Sequence, residues 1–258
     1  MAGPGLSLDG RPLSVLIANA DRAGLAALVD EQLRRFTERD VLQALRHPFC
    51  GREVLEAIET SSLLRLRSVK KAFARHPAAS RPTALQCLED LTWRDLVEVG
   101  RETRTPAPVR ASCVQQLLEK LPRLALGEKI ALARLADRPV LPALLVEKEP
   151  RVLEAVLANP RLVEDDLVAW ITTRNPLPER LGMLAGDPRW SQRRQVREAL
   201  LRNPSTPRPA ALALLLSGTR TEWRLVMENP SADPLLAACA ERLYRERTET
   251  VDRKAARS

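Results

Sequence analysis

Glycine and aromatic residues are both scarce in this chain of 258 residues. It holds 10 glycines, and aromatic side chains make up 3% of its residues. So little glycine leaves little material for a loop that cradles phosphate groups, and neither a GxGxxG motif nor a phosphate loop ending in Gly-Lys occurs. So few aromatic side chains argue against a stacking platform for the bases of single-stranded nucleic acid.

Signatures of catalysis and of metal binding are also missing. There is no GxSxG and no HExxH motif. The four cysteines are scattered, without the CxxC pair that brings two zinc ligands together in a tight turn. We therefore predict no metal, no cofactor and no catalytic residue. The cysteines are expected to be reduced and mostly buried: Cys50, Cys87, Cys113, Cys239. An enzyme is not excluded, but a non-enzymatic protein is favoured.

No apolar run is long enough to cross a bilayer. At the N-terminus, Asn19, Asp21 and Arg22 interrupt the apolar run LSVLIANA, and no basic segment precedes it as in a signal peptide. These absences, together with reduced cysteines, predict a cytoplasmic protein that does not insert into membranes.

Proline, in contrast, is abundant, and the segment 196–218 (VREALLRNPSTPRPAALALLLSG) shows how it is used. Apolar residues recur at helical spacing on both sides of Asn203-Pro204, where the proline ends the first helix. Thr206 is placed to cap the second helix, and Gly218 to follow its end. Such a helical hairpin has an apolar face that it cannot bury alone.

Similar corners recur along the chain, with successive gaps between 16 and 33 residues: Pro48, Pro77, Pro106, Pro139, Pro160, Pro176, Pro204, Pro230. Self-similarity at this period is typical of a solenoid. We predict an all-α fold, an α-solenoid of stacked helical hairpins. Residues 1–10 are expected to form a flexible leader, 11–39 an N-terminal helical cap (with a strand at 13–17 as the lesser alternative), 40–247 the repeat array and 248–258 a disordered tail.

The LxNPxxP corners resemble those of the bacterial HEAT-like and leucine-rich-repeat-variant proteins, over about residues 40–245. Residues 126–171 (LGEKIALARLADRP … LANPRLVEDDLVAWI) are particularly similar to uncharacterised bacterial members of that group. The resemblance implies a superhelix that serves as a binding scaffold and carries no catalytic signature. The cysteine cluster that holds an iron–sulfur centre in some leucine-rich-repeat-variant proteins has no counterpart here.

The residue before each corner proline, which we name the corner residue, is usually polar: His47, His76, Asn159, Asn175, Asn203, Asn229. We predict that these side chains hydrogen-bond the exposed backbone at a helix end and form a ladder along one edge. Thr105 and Arg138 occupy the same position and depart from the pattern.

The formal net charge of +8 invites an anionic partner. Two segments concentrate the cations: Arg65, Arg67, Lys70, Lys71, Arg75 and Arg81 in the first, and Arg189, Arg193, Arg194, Arg197 and Arg202 in the second. Equivalent positions of stacked repeats share a face, so such cations can join into a stripe. The competing interpretation is a solvated face, in which the arginine excess reflects codon bias in a high-GC genome.

Two functions from different classes follow. The leading hypothesis is a scaffold that binds a protein partner on a concave face. The alternative is a nucleic-acid-binding HEAT-like protein that uses the basic stripes at 65–81 and 189–208. In its sharpest form this alternative resembles HEAT-like DNA glycosylases, with Trp93 and Asp95 and the dispersed Trp170, Trp190 and Trp223 near a damaged nucleotide.

Overall fold

The computed structural model describes residues 5–8, 10–174 and 176–255. Within this part the protein is all-helical, as predicted, and its only β pairing is one isolated bridge between Leu6 and Pro12. The α-helices, in chain order, are α1 Leu13–Asn19, α2 Arg22–Gln32, α3 Glu38–Arg46, α4 Arg52–Thr60, α5 Arg67–Ala74, α6 Arg81–Glu89, α7 Trp93–Arg101, α8 Ala107–Lys120, α9 Leu126–Leu135, α10 Leu141–Leu145, α11 Pro150–Leu157, α12 Glu164–Thr173, α13 Pro178–Gly186, α14 Arg194–Arg202, α15 Arg208–Leu216, α16 Arg220–Met227 and α17 Pro234–Ala255.

The chain divides into two compact units, residues 1–125 (unit 1) and 126–258 (unit 2). In unit 1, α1, α3, α5 and α7 pack side by side in one row, while α2 packs against α4 and α6 against α8. In unit 2, the odd-numbered helices α9 to α17 form one row and the even-numbered helices α10 to α16 a second. In each unit, helices two places apart in the chain therefore pack against each other.

The apolar stripes predicted from the sequence are buried in unit 2. Val196, Ala199 and Leu200 on α14 are buried, and so are Leu214 and Leu215 on α15. This confirms the helical register predicted for both helices. Because each helix has only two or three turns, its stability comes from this packing rather than from intrinsic helix propensity.

Three helices begin with the same capping box, in which a threonine and an acid three residues later exchange hydrogen bonds. Thr37 pairs in this way with Asp40, Thr92 with Asp95 and Thr219 with Glu222. The three acids are buried, although acidic side chains are normally exposed. Capping explains their burial, because the carboxylates accept backbone and hydroxyl hydrogen bonds at the helix start.

One local expectation at the hairpin 196–218 is wrong. Thr206 does not cap the following helix; its hydroxyl donates a 2.6 Å hydrogen bond back to the carbonyl of Leu200, and α15 begins only after Pro207. Gly218 follows the end of α15 as expected, but without a positive φ, since Gly10 is the only glycine with a positive φ in the described chain. Gly218 is instead required for close approach, because a Cβ there would lie 2.9 Å from the carbonyl oxygen of Leu215.

The N-terminal segment 11–39 is helical, and residues 13–17, the alternative strand, lie in α1. The predicted leader 1–10 carries the bridge residue Leu6, and Ser7 is buried. At the other end, α17 continues to Ala255 and so includes most of the predicted tail 248–258. No helix in the described ranges combines the length and apolar character that crossing a membrane requires.

Candidate ligand groove

The corners share one hydrogen-bond geometry. At each of five corners the corner residue donates its N–H to the carbonyl three residues earlier, and its own carbonyl accepts from the N–H three residues later. The side chain then accepts from the N–H two residues later, at 2.8–3.2 Å. These corner residues are His47, His76, Asn159, Asn203 and Asn229, while Asn175 lies outside the described residues.

A sixth corner of this type was missed in the sequence. Asp187, before Pro188, donates its N–H to Leu184, accepts from the N–H of Trp190, and receives the N–H of Arg189 on its carboxylate at 2.9 Å. An aspartate can replace asparagine here because the corner needs only a side-chain acceptor two residues upstream of the free N–H. Arg138, before Pro139, is different, because it lies in a 3₁₀ turn and pairs with Asp166.

In unit 2 the asparagines also link neighbouring hairpins. The amide nitrogen of Asn159 donates to the carbonyls of Ala133, at 2.7 Å, and Ala136, at 3.1 Å. That of Asn203 donates to Ile171 at 2.9 Å, and that of Asn229 to Arg202 at 3.4 Å. Each bond reaches back to a helix end whose carbonyls lack an intrahelical partner.

The two histidines of unit 1 use the position differently. Nδ1 accepts the backbone N–H of Phe49 in His47 and of Ala78 in His76, both at 3.2 Å. In the neutral ring the proton is therefore on Nε2, and no hydrogen bond within the described chain engages that atom. Burial, and after it the charge of Arg104, lower the pKa of His76, which favours this neutral form.

Both histidines line a groove of about 720 Å³ in unit 1. Its walls come from α3, α5, α7 and the corners that follow α3 and α5, with two further residues, Glu102 and Arg104, from beyond α7. Leu42, Leu45 and Ala72 supply apolar surface. The charged lining consists of five cations and two carboxylates: Arg46, Arg67, Lys71, Arg75, Arg104, Asp95 and Glu102. The groove is therefore cationic and partly apolar.

Only part of this charge is neutralised inside the protein. Arg67 and Lys71 both pair with Asp95, at 3.4 and 3.2 Å, Lys71 also pairs with Glu98, and Arg75 pairs with Glu102. Thus the cations of α5 face acids that stand 24 to 28 residues later, on α7 and just beyond it. The sequence has no acid between Glu59 and Glu89, so the charge counted over that interval is larger than the uncompensated charge of the folded protein.

The carboxylates stay ionised. Burial alone would raise the pKa of Asp95, but hydrogen bonds from Thr92 and Lys71 and the nearby cations outweigh it and hold that pKa below its usual value. The pKa of Glu102 is lowered mainly by its hydrogen bond with Arg75. Asp95 is thus engaged in a helix cap and two ion pairs, and is not presented as a free acid for catalysis.

Two groove cations, Arg46 and Arg104, were not nominated from the sequence. Each directly precedes a corner residue, as Arg75 does, and the three arginines recur at intervals of 29 residues. In the described chain neither side chain forms an ion pair within 4 Å, although the charge and the backbone N–H of Arg104 help to lower the pKa of Glu102. The recurrence of these arginines is visible in the sequence, because the same 29-residue spacing separates Pro48, Pro77 and Pro106. A search for segments with many cations does not detect it, because only one arginine recurs at each corner.

The other nominated cations of the first segment lie outside the groove. Arg65 and Arg81 are exposed, and Lys70 pairs with Asp90 and does not line the groove. The structure therefore divides this segment: Arg67, Lys71 and Arg75 come together, and the remaining three do not join them.

The second basic segment, in unit 2, is largely used for internal contacts. Arg197 is buried; it pairs with Glu222 at 2.6 Å and donates to the carbonyls of Ser191 and Leu214. Arg189 stacks on Trp190 and donates to the carbonyls of Leu157 and Asn159. Arg194 pairs with Glu198. Arg193 and Arg202 are exposed.

All four tryptophans are buried, each at most 5% exposed: Trp93, Trp170, Trp190, Trp223. The indole N–H groups of Trp190 and Trp223 donate to the carbonyls of Leu157 and Leu215, which fixes both rings inside unit 2. Their role is packing between helices, so they do not offer faces for stacking with bases.

All four cysteines are free thiols. Burial raises the pKa of Cys50 and Cys87 to about 11 and that of Cys113 to about 12, so these thiols are poor nucleophiles and poor metal ligands. Nowhere in the described ranges do three or more His, Cys, Asp or Glu side chains gather in a way that could hold a metal ion.

Comparison with protein-family models, with curated proteins and with solved structures gives no match. The groove and the corners therefore carry the functional argument by themselves.

Proposed function

We propose that the protein is a non-enzymatic α-solenoid, of the HEAT-like or leucine-rich-repeat-variant type, and that the groove of unit 1 binds an acidic segment of a protein partner. The observation that carries the proposal is the charge of the groove lining, where five cations face two carboxylates that are already held by cations of the protein. Complementary charge favours encounter and correct register with an acidic partner.

The mixed character of the lining supports a peptide in particular. Leu42, Leu45 and Ala72 offer apolar contacts beside the cations, and a peptide can present both acidic and apolar side chains. A volume of about 720 Å³ is within the range of specific ligand sites. Arg46 and Arg104 are available for partner carboxylates without breaking an ion pair in the described chain.

The second candidate function is binding of nucleic acid, which the formal net charge of +8 favours. Two observations weigh against it. The tryptophans are buried, and Arg189, Arg194 and Arg197 of the second basic segment are engaged with groups of the protein itself. An acidic peptide therefore remains the better fit.

The test compares binding of a fluorescent acidic peptide pool with binding of a mixed pool of single-stranded DNA and RNA at low salt. The variant Arg46→Gln/Arg104→Gln removes the two unpaired groove cations. Its control, Arg110→Gln/Arg123→Gln, removes the same charge from exposed positions of unit 1 outside the groove. We expect the groove variant to lose about tenfold in peptide affinity and the control to change little.

Two results would count against the proposal. Absence of peptide binding at low salt would remove it, because electrostatic attraction is strongest there. Tighter binding of nucleic acid than of peptide, with a steep dependence on salt, would favour the second candidate.

A further inference from the structure

Three consecutive corners of unit 1 have an arginine directly before the corner residue. Arg46, Arg75 and Arg104 recur at intervals of 29 residues, and all three line the groove. The three corners share one backbone hydrogen bond, because His47, His76 and Thr105 donate their N–H to the carbonyl three residues earlier at 3.1, 3.0 and 3.1 Å. Their helices end at different distances from the arginine: α3 at Arg46 itself, α5 one residue before Arg75 and α7 three residues before Arg104. We name these three arginines the arginine ladder.

The spacing of the ladder follows from helix packing. The helices α3, α5 and α7, which lead into the three corners, lie side by side. Packed helix axes are about 8–10 Å apart, so we expect the arginines beside successive corners to be spaced by about that distance along the groove.

We propose that the arginine ladder recognises an extended acidic segment with a carboxylate at every third residue. In a polyproline II conformation three residues make one turn and rise about 9.3 Å, which places every third side chain on one face at the spacing of the ladder. In a β-strand, side chains three apart point to opposite faces, and those two apart are separated by only about 6.8 Å. A helical ligand, about 10–12 Å in diameter, is bulkier than an extended chain.

The state of each arginine suits this role. Arg46 and Arg104, at the two ends, carry no ion pair within the described chain. Arg75, in the middle, pairs with Glu102, but both side chains are about one third exposed, at 35% and 31%. An exposed pair contributes little, so a carboxylate of the ligand can take the place of Glu102.

The histidines add a second kind of contact. Since Nδ1 of His47 and of His76 is occupied by a backbone N–H, each neutral ring presents its Nε2–H donor. An extended polyproline II chain makes no internal hydrogen bonds, so its carbonyls are free to accept. The ladder thus selects the spacing of acids, and the histidines contact the backbone between them.

This inference rests on the proposed function and can fail separately from it. The test uses the full chain and three peptides of identical composition, rich in proline, with glutamate at every second, every third or every fourth position. Fluorescence anisotropy at low salt gives each dissociation constant. We expect the third-position peptide to bind about tenfold more tightly than the other two.

Variants then connect the preference to the ladder. In the variant Arg46→Gln or Arg104→Gln, replacing the terminal glutamate of the third-position peptide that faces the missing arginine should cause no further loss of affinity, because that glutamate no longer has a partner. The control Arg65→Gln, an exposed cation of the same basic segment outside the groove, should keep the full preference.

Every outcome is decisive. Equal binding of the three peptides, or a preference for another spacing, overturns the ladder and leaves the proposed function in place. Failure of all three peptides to bind overturns both. If the arginine variants keep the preference for glutamate at every third position, the proposal is also refuted, because residues other than the arginine ladder would then recognise the spacing.

Discussion

Replacing Asn159 tests whether the corner asparagines hold unit 2 together. Its side chain is fully buried and makes three hydrogen bonds: two from the amide nitrogen to carbonyls of the preceding hairpin and one from the backbone N–H of Arg161, at 2.8 Å. Each such bond contributes a net 0.5–1.5 kcal/mol or so, and a buried polar group left without a partner costs about 1–3 kcal/mol. We therefore expect Asn159→Ala to lower the free energy of unfolding by about 3–5 kcal/mol.

The other corners supply a graded comparison. Asn203 is half-buried and makes one bond to the preceding hairpin at 2.9 Å, and Asn229 makes one at 3.4 Å in an exposed setting. The loss on substitution by alanine should fall in the order Asn159, Asn203, Asn229, and reach about 1 kcal/mol or less for the last because water can replace the exposed bond.

Urea-induced unfolding followed by tryptophan fluorescence is the assay. Trp170, Trp190 and Trp223 lie in unit 2 and only Trp93 in unit 1, so a Trp93→Phe background makes the signal specific for the unit that contains the asparagines. The linear dependence of the unfolding free energy on urea gives each loss. Equal losses at the three corners, or a loss below about 1 kcal/mol for Asn159→Ala, would refute the reasoning.

Three further predictions concern single side chains. His76→Asn should keep the corner, because asparagine fills the same position in unit 2, and should weaken the loss of stability in acid. The folded protein lowers the pKa of His76, so the unfolded chain binds the proton first as the pH falls. The free energy of unfolding is therefore unaffected by this group above about pH 6.5 and declines below it. Unfolding curves at several pH values measure this, and an unchanged pH dependence in His76→Asn would contradict it. Arg180→Met should leave stability unchanged or raise it by about 1–3 kcal/mol, because Nε and Nη2 of Arg180 are buried without a hydrogen-bond partner while the side chain packs on Trp170. Thermal unfolding tests this, and a loss above about 2 kcal/mol would show that the protein compensates the charge of Arg180. Leu200→Ala should cost about 2–5 kcal/mol and the exposed Leu216→Ala about 0.5 kcal/mol or less, so similar losses in urea unfolding would mean that the buried stripe is wrongly placed.

The parts of the fold that could be predicted from sequence are the local ones. Apolar spacing gave the stripes of α14 and α15, and prolines gave the corners, because both signals act within a few residues. The corner at Asp187 differs, because its acceptor is a carboxylate and not the amide or imidazole of the other corners. The division of the chain near residue 125 depends on contacts between helices, which no local pattern encodes.

The candidate site could be predicted only in part, because charges pair across hairpins. Arg67 and Lys71 looked like uncompensated cations until α7 brought Asp95 against them, and Arg197 looked like a surface cation until α16 placed Glu222 beside it. A local count of charge has no access to partners 24 to 28 residues away. Periodic placement is more informative here, because Arg46 and Arg104 recur with the spacing of the corner prolines and both line the groove.

Histidine and asparagine are not equivalent at the corner, because their hydrogen-bonding atoms are arranged differently. The oxygen and nitrogen of an amide sit on one carbon, so Asn159 can accept from its own corner and donate to the preceding hairpin at once. The two nitrogens of an imidazole lie at separate points on a rigid ring. When Nδ1 of His76 accepts the N–H of Ala78, the remaining donor is directed elsewhere, and in unit 1 the ring borders the groove. A histidine corner thus lacks the bond between hairpins that Asn159 makes, and both histidine corners border the groove of unit 1.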